Sequence, residues 1–258
     1  VMTEINGLRT ISATRAQRTP AADALYRLVR HRSAQLGMAI LAFLILVAIF
    51  AEVIAPYDPT EILEEETRRA APCVHLFGCP ADQEEHIFGI DGNSRDLFSR
   101  VIFGSRLSLQ IGLETMVFAI LIGGLIGAVA GYAGGWLDNL LMRTMDVLMA
   151  FPSLLLAIAI VTVLGTGLIN ALLAIGIVSI PRFARLIRST VLSVRELEYV
   201  QASQALGASS LRVLFTRILP NAITPLIVQG TLGIATAILD AAALSFLGLG
   251  AEPPRPEW

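Results

Sequence analysis

Residues 198–225 read EYVQASQALGASSLRVLFTRILPNAITP, a polar, arginine-bearing island between two long apolar runs. The stretch reads as a short helix, a turn at Gly207 and a second helix, since glycine turns a chain there without Cβ strain. Pro220 marks the point where the chain bends toward the next apolar run. In the first helix Tyr199, Ala202, Ala205 and Leu206 recur at spacings of three and four, which gives an apolar face able to dock on a partner. Glu198 and Gln201 stand at the edge of that face for polar contacts, and the small Ala202, Ser203 and Gly207 permit close approach. An ordinary amphipathic surface helix is the plain alternative.

The composition around this island is that of a membrane protein. Of 258 residues, 55% are hydrophobic and only 16% charged, where a soluble domain carries about 25% charge. The mean hydropathy is +0.69. A net charge of −2 says less than where the charges lie, and all 19 basic residues are arginine, which carries no functional message. With two cysteines, neither a disulfide framework nor a four-cysteine zinc site is available. No cleavable signal pattern opens the chain. No Gly-x-x-x-x-Gly-Lys phosphate loop is present, and His31, His75 and His86 are too scattered for a catalytic set. The residues thus give no enzyme site, and their spacing alone establishes no metal site. The work to be explained is mechanical, two packings of a helix bundle exchanging.

Taken in order, residues 1–33 are polar and basic and include a possible membrane-surface helix over 21–31. Residues 34–55 form a run long enough to cross a hydrocarbon core. An arginine-rich flank before it and an acidic flank after it place the N-terminus in the cytoplasm. Residues 56–106 are then a long external loop, acidic at Glu61, Glu64, Glu65, Glu66, Asp82, Glu84 and Glu85. Cys73 and Cys79 lie in it among Pro72, Gly78 and Pro80, where the chain is bent enough to bring them together. A disulfide in an oxidising exterior, a metal clip with His75 and His86, and free thiols all stay open.

Further spans follow over 107–131, 140–164 with a kink at Pro152, 168–180 continuing through Pro181, and 222–244. Gly112, Gly123, Gly124, Gly127 and Gly131 offer small surfaces for close helix packing. Residues 132–139 read as a tight cytoplasmic turn. Arg143 and Asp146 lie one turn apart and can pair. Arg143, Arg182, Arg185, Arg188, Arg195, Arg212 and Arg217 all fall on the side this threading makes cytoplasmic. Ionisable groups inside spans are functional candidates because charge in lipid is costly. Glu114, about two turns into the second span, Asp146 near the inner mouth and Asp240 near the outer end of the fifth are the candidates for pore or gate.

The island resembles the cytoplasmic coupling loop of the membrane subunits of ATP-binding-cassette importers, on Gln201-Ala202-Ser203, then Gly207, then Ile218-Leu219-Pro220-Asn221. A second segment, HIFGIDGNSRDLFSR from His86 to Arg100, resembles an external motif of the dipeptide, oligopeptide and nickel branch. It matches at His86, Gly89, Asp91, Arg95, Asp96, Ser99 and Arg100, and departs at Ile87, Ile90 and Ser94, where the pattern has Pro, Thr and Gly. Asp91, Arg95, Asp96 and Arg100 are either a contact with the binding protein or ion pairs and caps on an interfacial helix. A third, LSFLGLGAEPPRPEW over 244–258, normally precedes one more helix.

The resemblance implies an all-α polytopic membrane protein with the type I importer transmembrane fold, five spans being present and a sixth expected but missing by truncation or lack of order. Residues 107–258 would be the permease core, with the coupling loop at 191–221. The docking positions would be Glu198, Tyr199, Gln201, Ala202, Ser203, Ala205, Leu206, Gly207, Leu219 and Pro220. It further implies a multi-pass protein of the plasma (inner) membrane that forms half of a pore for di- or oligopeptides. Its partners would be a homologous second permease, two ATPase subunits, an external solute-binding protein and membrane lipid, with no nucleic acid. The chain itself would bind no cofactor, ATP and Mg residing on the ATPases. Nickel or another small solute is the alternative cargo. A channel or scaffold without ATP coupling is the alternative of another class.

Overall fold

The computed structural model describes residues 31–63, 68–80, 82–252 and 254–256. The expected surface helix over 21–31, apart from His31, therefore lies outside the described residues, as do Glu64, Glu65, Glu66, Pro253, Glu257 and Trp258. The described residues are mainly helical. Strand-like pairing among them is limited to isolated antiparallel bridges, Cys73 with His86 and Ile90 with Asp96. The protein is an all-α polytopic membrane protein. Among the described residues four helices are long and apolar enough to cross a membrane, or five if one sharply bent pair counts as a single span.

The chain divides into two units, 1–47 and 48–258. The described part of the first is most of helix α1 (Arg32–Ile49), whose sequence is apolar around its whole circumference, as lipid requires. The second unit holds the bundle. A short helix, α2 (Ala51–Ile54), leads into the long loop, and α3 (Leu97–Ala133) leaves it. Arg106 on α3 gathers this corner, donating to the carbonyls of Ala48 at 2.5 Å and Ile49 at 2.9 Å and to the Glu52 carboxylate at 2.8 Å. Helix α3 begins at Leu97, ten residues before the expected span at 107, so Glu114 sits about five turns into the helix that carries that span.

Gly134 and Gly135, at φ +65° and +60°, end α3 and restart the chain as α4 (Gly135–Met149). The expected turn over 132–139 is thus mostly helix. Pro152 breaks the chain again, since it has no N–H to donate and biases Phe151 away from helix. The next helix, α5 (Ser153–Leu164), leaves α4 at 94°. The kink expected at Pro152 within 140–164 is this sharp bend, and the pair passes together as a candidate span or re-entrant segment. Helix α6 (Leu168–Arg195) does continue through Pro181.

Close packing is centred on α3, α6 and the last long helix, α9 (Leu219–Phe246). In lipid no hydrophobic force draws helices together, so small residues and tight packing must do it. Gly123, Gly127 and Gly131 lie four apart on the α3 face toward α6. A Cβ at Gly123 would come within 2.6 Å of the Ile180 carbonyl, one at Gly127 would fall on the Ala184 carbonyl, and one at Gly131 would lie 3.0 Å from the Arg188 carbonyl. Gly112 plays the same part toward Ile234 and Ile238 of α9, whereas Gly124 faces open space and takes no part. Ile111, Met116, Val161, Ile175, Phe183 and Leu244 fill the core among α3, α5, α6 and α9.

Candidate functional site

The polar island is built on two pieces that the bundle holds. After α6, the chain forms α7 (Glu198–Ala205), then turns at Gly207 with φ +84°. Nothing lies within 4 Å of where a Cβ at Gly207 would be, so the requirement for glycine there is conformational rather than steric. Val200 is the inward anchor of α7, fully buried in a cluster with Ile187, Val191, Val213 and Ile218. Sequence reading passed over it, because one valine in an eight-residue helix carries no periodic signal. The opposite positions, Tyr199, Ala202, Ala205 and Leu206, are exposed, Leu206 at 89%. Glu198 and Gln201 are exposed as well. Gln201 donates to the Glu196 carbonyl at 3.2 Å, and the Ser203 hydroxyl donates back to the Tyr199 carbonyl at 2.9 Å.

Helix α8 (Ser210–Val213) follows the turn and widens into a π-helical segment, Leu214–Ile218, before α9. Pro220 accounts for the widening. It cannot donate to the carbonyl one turn back, and its ring crowds that turn, so the ladder opens instead of continuing at regular pitch. Pro220 thus modifies a continuing helix where a bend was expected. The carbonyl of Arg217 is taken by the Asn221 side chain at 2.7 Å. The same amide reaches the Tyr199 hydroxyl at 3.1 Å, so α7 is latched to the start of α9. Leu219 is half-buried and Pro220 exposed.

In the loop before α3, the motif residues are brought together. Asp96 caps α3 by accepting from the Ser99 N–H at 2.7 Å, and its other oxygen meets buried His86 at 2.9 Å. The Tyr57 ring covers His86, with centroids 4.8 Å apart. Asp91 accepts from the N–H groups of Asn93 and Arg95 and lies 3.4 Å from the Arg100 guanidinium. Arg100 also donates to the carbonyls of Pro59 and Pro254. Arg95 is buried, and among the described residues its Nε finds no partner. Ser94 stands at φ +57°, so the left-handed turn that favours glycine is kept despite the serine.

Elsewhere in the loop, Cys73 and Cys79 are joined, their Cα atoms 5.2 Å apart. His75 turns to Glu85 and Gln83 instead of toward His86, and among the described residues no three metal-ligating side chains gather. The Thr60 hydroxyl and N–H hold the Asp58 carboxyl below its usual range.

The three span candidates are not brought together. Glu114 is exposed and accepts from Gln110 at 2.7 Å. Asp146 pairs with Arg185 of α6 and not with Arg143, which corrects the expected one-turn pair. A matching rung missed by sequence reading is Asp138 with Arg188, bidentate at 2.5 and 2.6 Å. Asp240 is half-buried on α9. Together these features describe a bundle with an exposed short helix, α7, and a folded, ion-paired loop before α3.

Comparison with known proteins agrees. Residues 123–258 match the family described as binding-protein-dependent transport system inner membrane component. Residues 19–72 match the N-terminal transmembrane domain of oligopeptide transport permease C. A dipeptide transport system permease protein of Alkalihalophilus pseudofirmus is 47% identical over 240 residues, 93% of this chain and 75% of that protein. A di/tripeptide transport system permease protein of Pseudomonas aeruginosa is 47% identical over 222 residues, 86% and 72% of the two chains. A glutathione transport system permease protein of Shigella dysenteriae is 42% identical over 245 residues, 93% and 76%.

Proposed function

The chain belongs to the binding-protein-dependent transport system inner membrane components, and we propose that it is one permease subunit of an ATP-driven importer of di- or oligopeptides. The relatives' names support the peptide cargo. The observation that carries the reading is α7, an exposed apolar face pinned to the bundle through Val200 and tied to α9 through Tyr199 and Asn221. No observation favours nickel as cargo or an uncoupled channel.

In this reading the N-terminus and α7 are cytoplasmic, and the loop before α3 faces outward, a threading that the distribution of arginines supports. The α7 face, with Glu198 and Gln201 at its rim and Gly207 closing it, docks on an ATPase subunit. Leu219 and Pro220 follow it into the last span. A homologous second permease completes the pore, a second ATPase completes the motor, and an external solute-binding protein delivers peptide. The loop around Asp91, Arg95, Asp96 and Arg100 lies on the delivery side. ATP and Mg are bound by the ATPases, and their closure moves α7, which moves α6 and α9 as a packed unit. The test is uptake of a labelled dipeptide into liposomes carrying the assembled complex. Accumulation that requires ATP inside and binding protein outside supports the reading; accumulation indifferent to both contradicts it.

A further inference from the structure

Helix α4 is held to the bundle largely by charge. Of its residues only Asp138 and Met145 are buried, while Trp136, Leu140 and Val147 point outward and are exposed. Its inward side meets α6 through two ion pairs. Arg188 grips both oxygens of Asp138, from Nε at 2.5 Å and from Nη2 at 2.6 Å, and Arg185 pairs with Asp146. Beside Asp146, Met145 clusters with Ile180 and Ala184. Arg195, on the same side of α6, donates to the Gly131 carbonyl at 3.2 Å, one of the carbonyls that a helix end leaves without a helical partner. Three arginines of one helix thus hold the corner where α3 gives way to α4.

This grip is confined to the half of α6 that carries α7. Pro181 lies inside α6 and removes one bond from its backbone ladder. Beyond it, Ile187 and Val191 share a buried cluster with Val200 of α7. Before it, Ala171, Ala174 and Ile175 pack instead with Ala157 and Val161 of α5. The partner pair divides likewise, since Pro152 separates α4 from α5, which leaves at 94°. Both sides of the contact therefore change at a proline, with ion pairs toward α7 and apolar packing away from it.

We propose that Asp138 and Arg188 are positioning residues for transport: their contact makes α4 travel with α7, turning about Pro152 while α5 stays with the core. The inference rests on the importer reading above and divides its moving unit more finely, naming the further helix that ATPase motion reaches. A bidentate arginine–carboxylate contact suits this work because it fixes orientation as well as distance.

The test is the separation of spin labels in the assembled complex in liposomes, before and after ATP is added. One labelled pair is Leu140→Cys with Ser189→Cys, the other Leu140→Cys with Val163→Cys, all three positions being exposed. The 140–189 separation should stay fixed and the 140–163 separation should change. With Asp138→Asn added, the 140–189 separation should become dependent on ATP. Dipeptide uptake per ATP hydrolysed should fall roughly tenfold in the same variant, the scale of one charge-assisted contact. Arg188→Gln should act alike, and the two changes together should be no worse than either, because both remove one contact. A wild-type 140–189 separation that changes with ATP, or a 140–163 separation that does not, would overturn the proposal. So would variants that keep both the fixed separation and the uptake ratio, or that lose uptake and hydrolysis in proportion, as a merely structural role would give. Should a variant fail to assemble, the wild-type separations still decide. Wild-type uptake indifferent to ATP and binding protein would instead remove the importer reading, an outcome read from uptake and not from the labels.

Discussion

Replacing Gly127 by alanine isolates what holds α3 to α6. The added Cβ would fall on the Ala184 carbonyl and within 3.0 Å of the Arg188 amide nitrogen. Both are backbone atoms of a packed helix, so neither can swing aside as a side chain would. Overpacking of this kind costs about 1–3 kcal/mol. Alanine also favours helix over glycine by about 1 kcal/mol, which masks part of the loss. Gly124→Ala supplies the control, since it carries the same helix gain and meets nothing within 4 Å. The difference between the two variants is therefore the clash alone, about 1–3 kcal/mol, or roughly a 5- to 150-fold shift in the unfolding equilibrium. Reversible unfolding of the purified subunit in mixed micelles, followed by circular dichroism, reads this difference directly. Equal stability of the two variants would refute the claim that backbone approach at Gly127 sets the α3–α6 spacing.

Three other outcomes are expected. Asn221→Ala frees the Arg217 carbonyl and unlatches Tyr199; it should speed amide exchange across 198–206 several-fold, consistent with about 1 kcal/mol of local stability, whereas unchanged exchange would show that the latch holds nothing. Gly207→Ala should cost about 1–2 kcal/mol through its left-handed backbone, and Gly207→Asn less, as judged by exchange of the same helix; equal effects would place the cost elsewhere. Reduction, or the paired change Cys73→Ser with Cys79→Ser, should raise proteolysis within 70–86 and leave the helical circular dichroism unaltered, and loss of helix would show that the loop supports the bundle.

The long apolar helices were legible because lipid leaves a sequence little choice, and α7 was legible because a polar island between spans needs a turn at Gly207. The bent pair α4–α5 was only half legible. Pro152 announced a break, but the 94° angle comes from packing that no local pattern contains. Partners distant in sequence were hidden for the same reason. Asp146 has Arg143 one turn away yet pairs with Arg185, and Asp138 finds Arg188 across 50 residues. In the loop before α3 the pattern showed the residues, and the fold showed their work. Asp96 serves as a helix cap and His86 partner at once, and Ser94 keeps a glycine-like turn.

The central claim is that α7 carries ATPase motion into the bundle, and Leu206→Glu tests it most directly. Leu206 is 89% exposed, so the change leaves the fold intact and places a charge only on the docking face. Dipeptide uptake and ATP hydrolysis would be measured together in liposomes carrying the assembled complex. The account predicts that uptake per ATP hydrolysed falls at least roughly tenfold, as expected for a charge buried in an interface core without a partner. Undiminished uptake, with the same dependence on ATP, would contradict it.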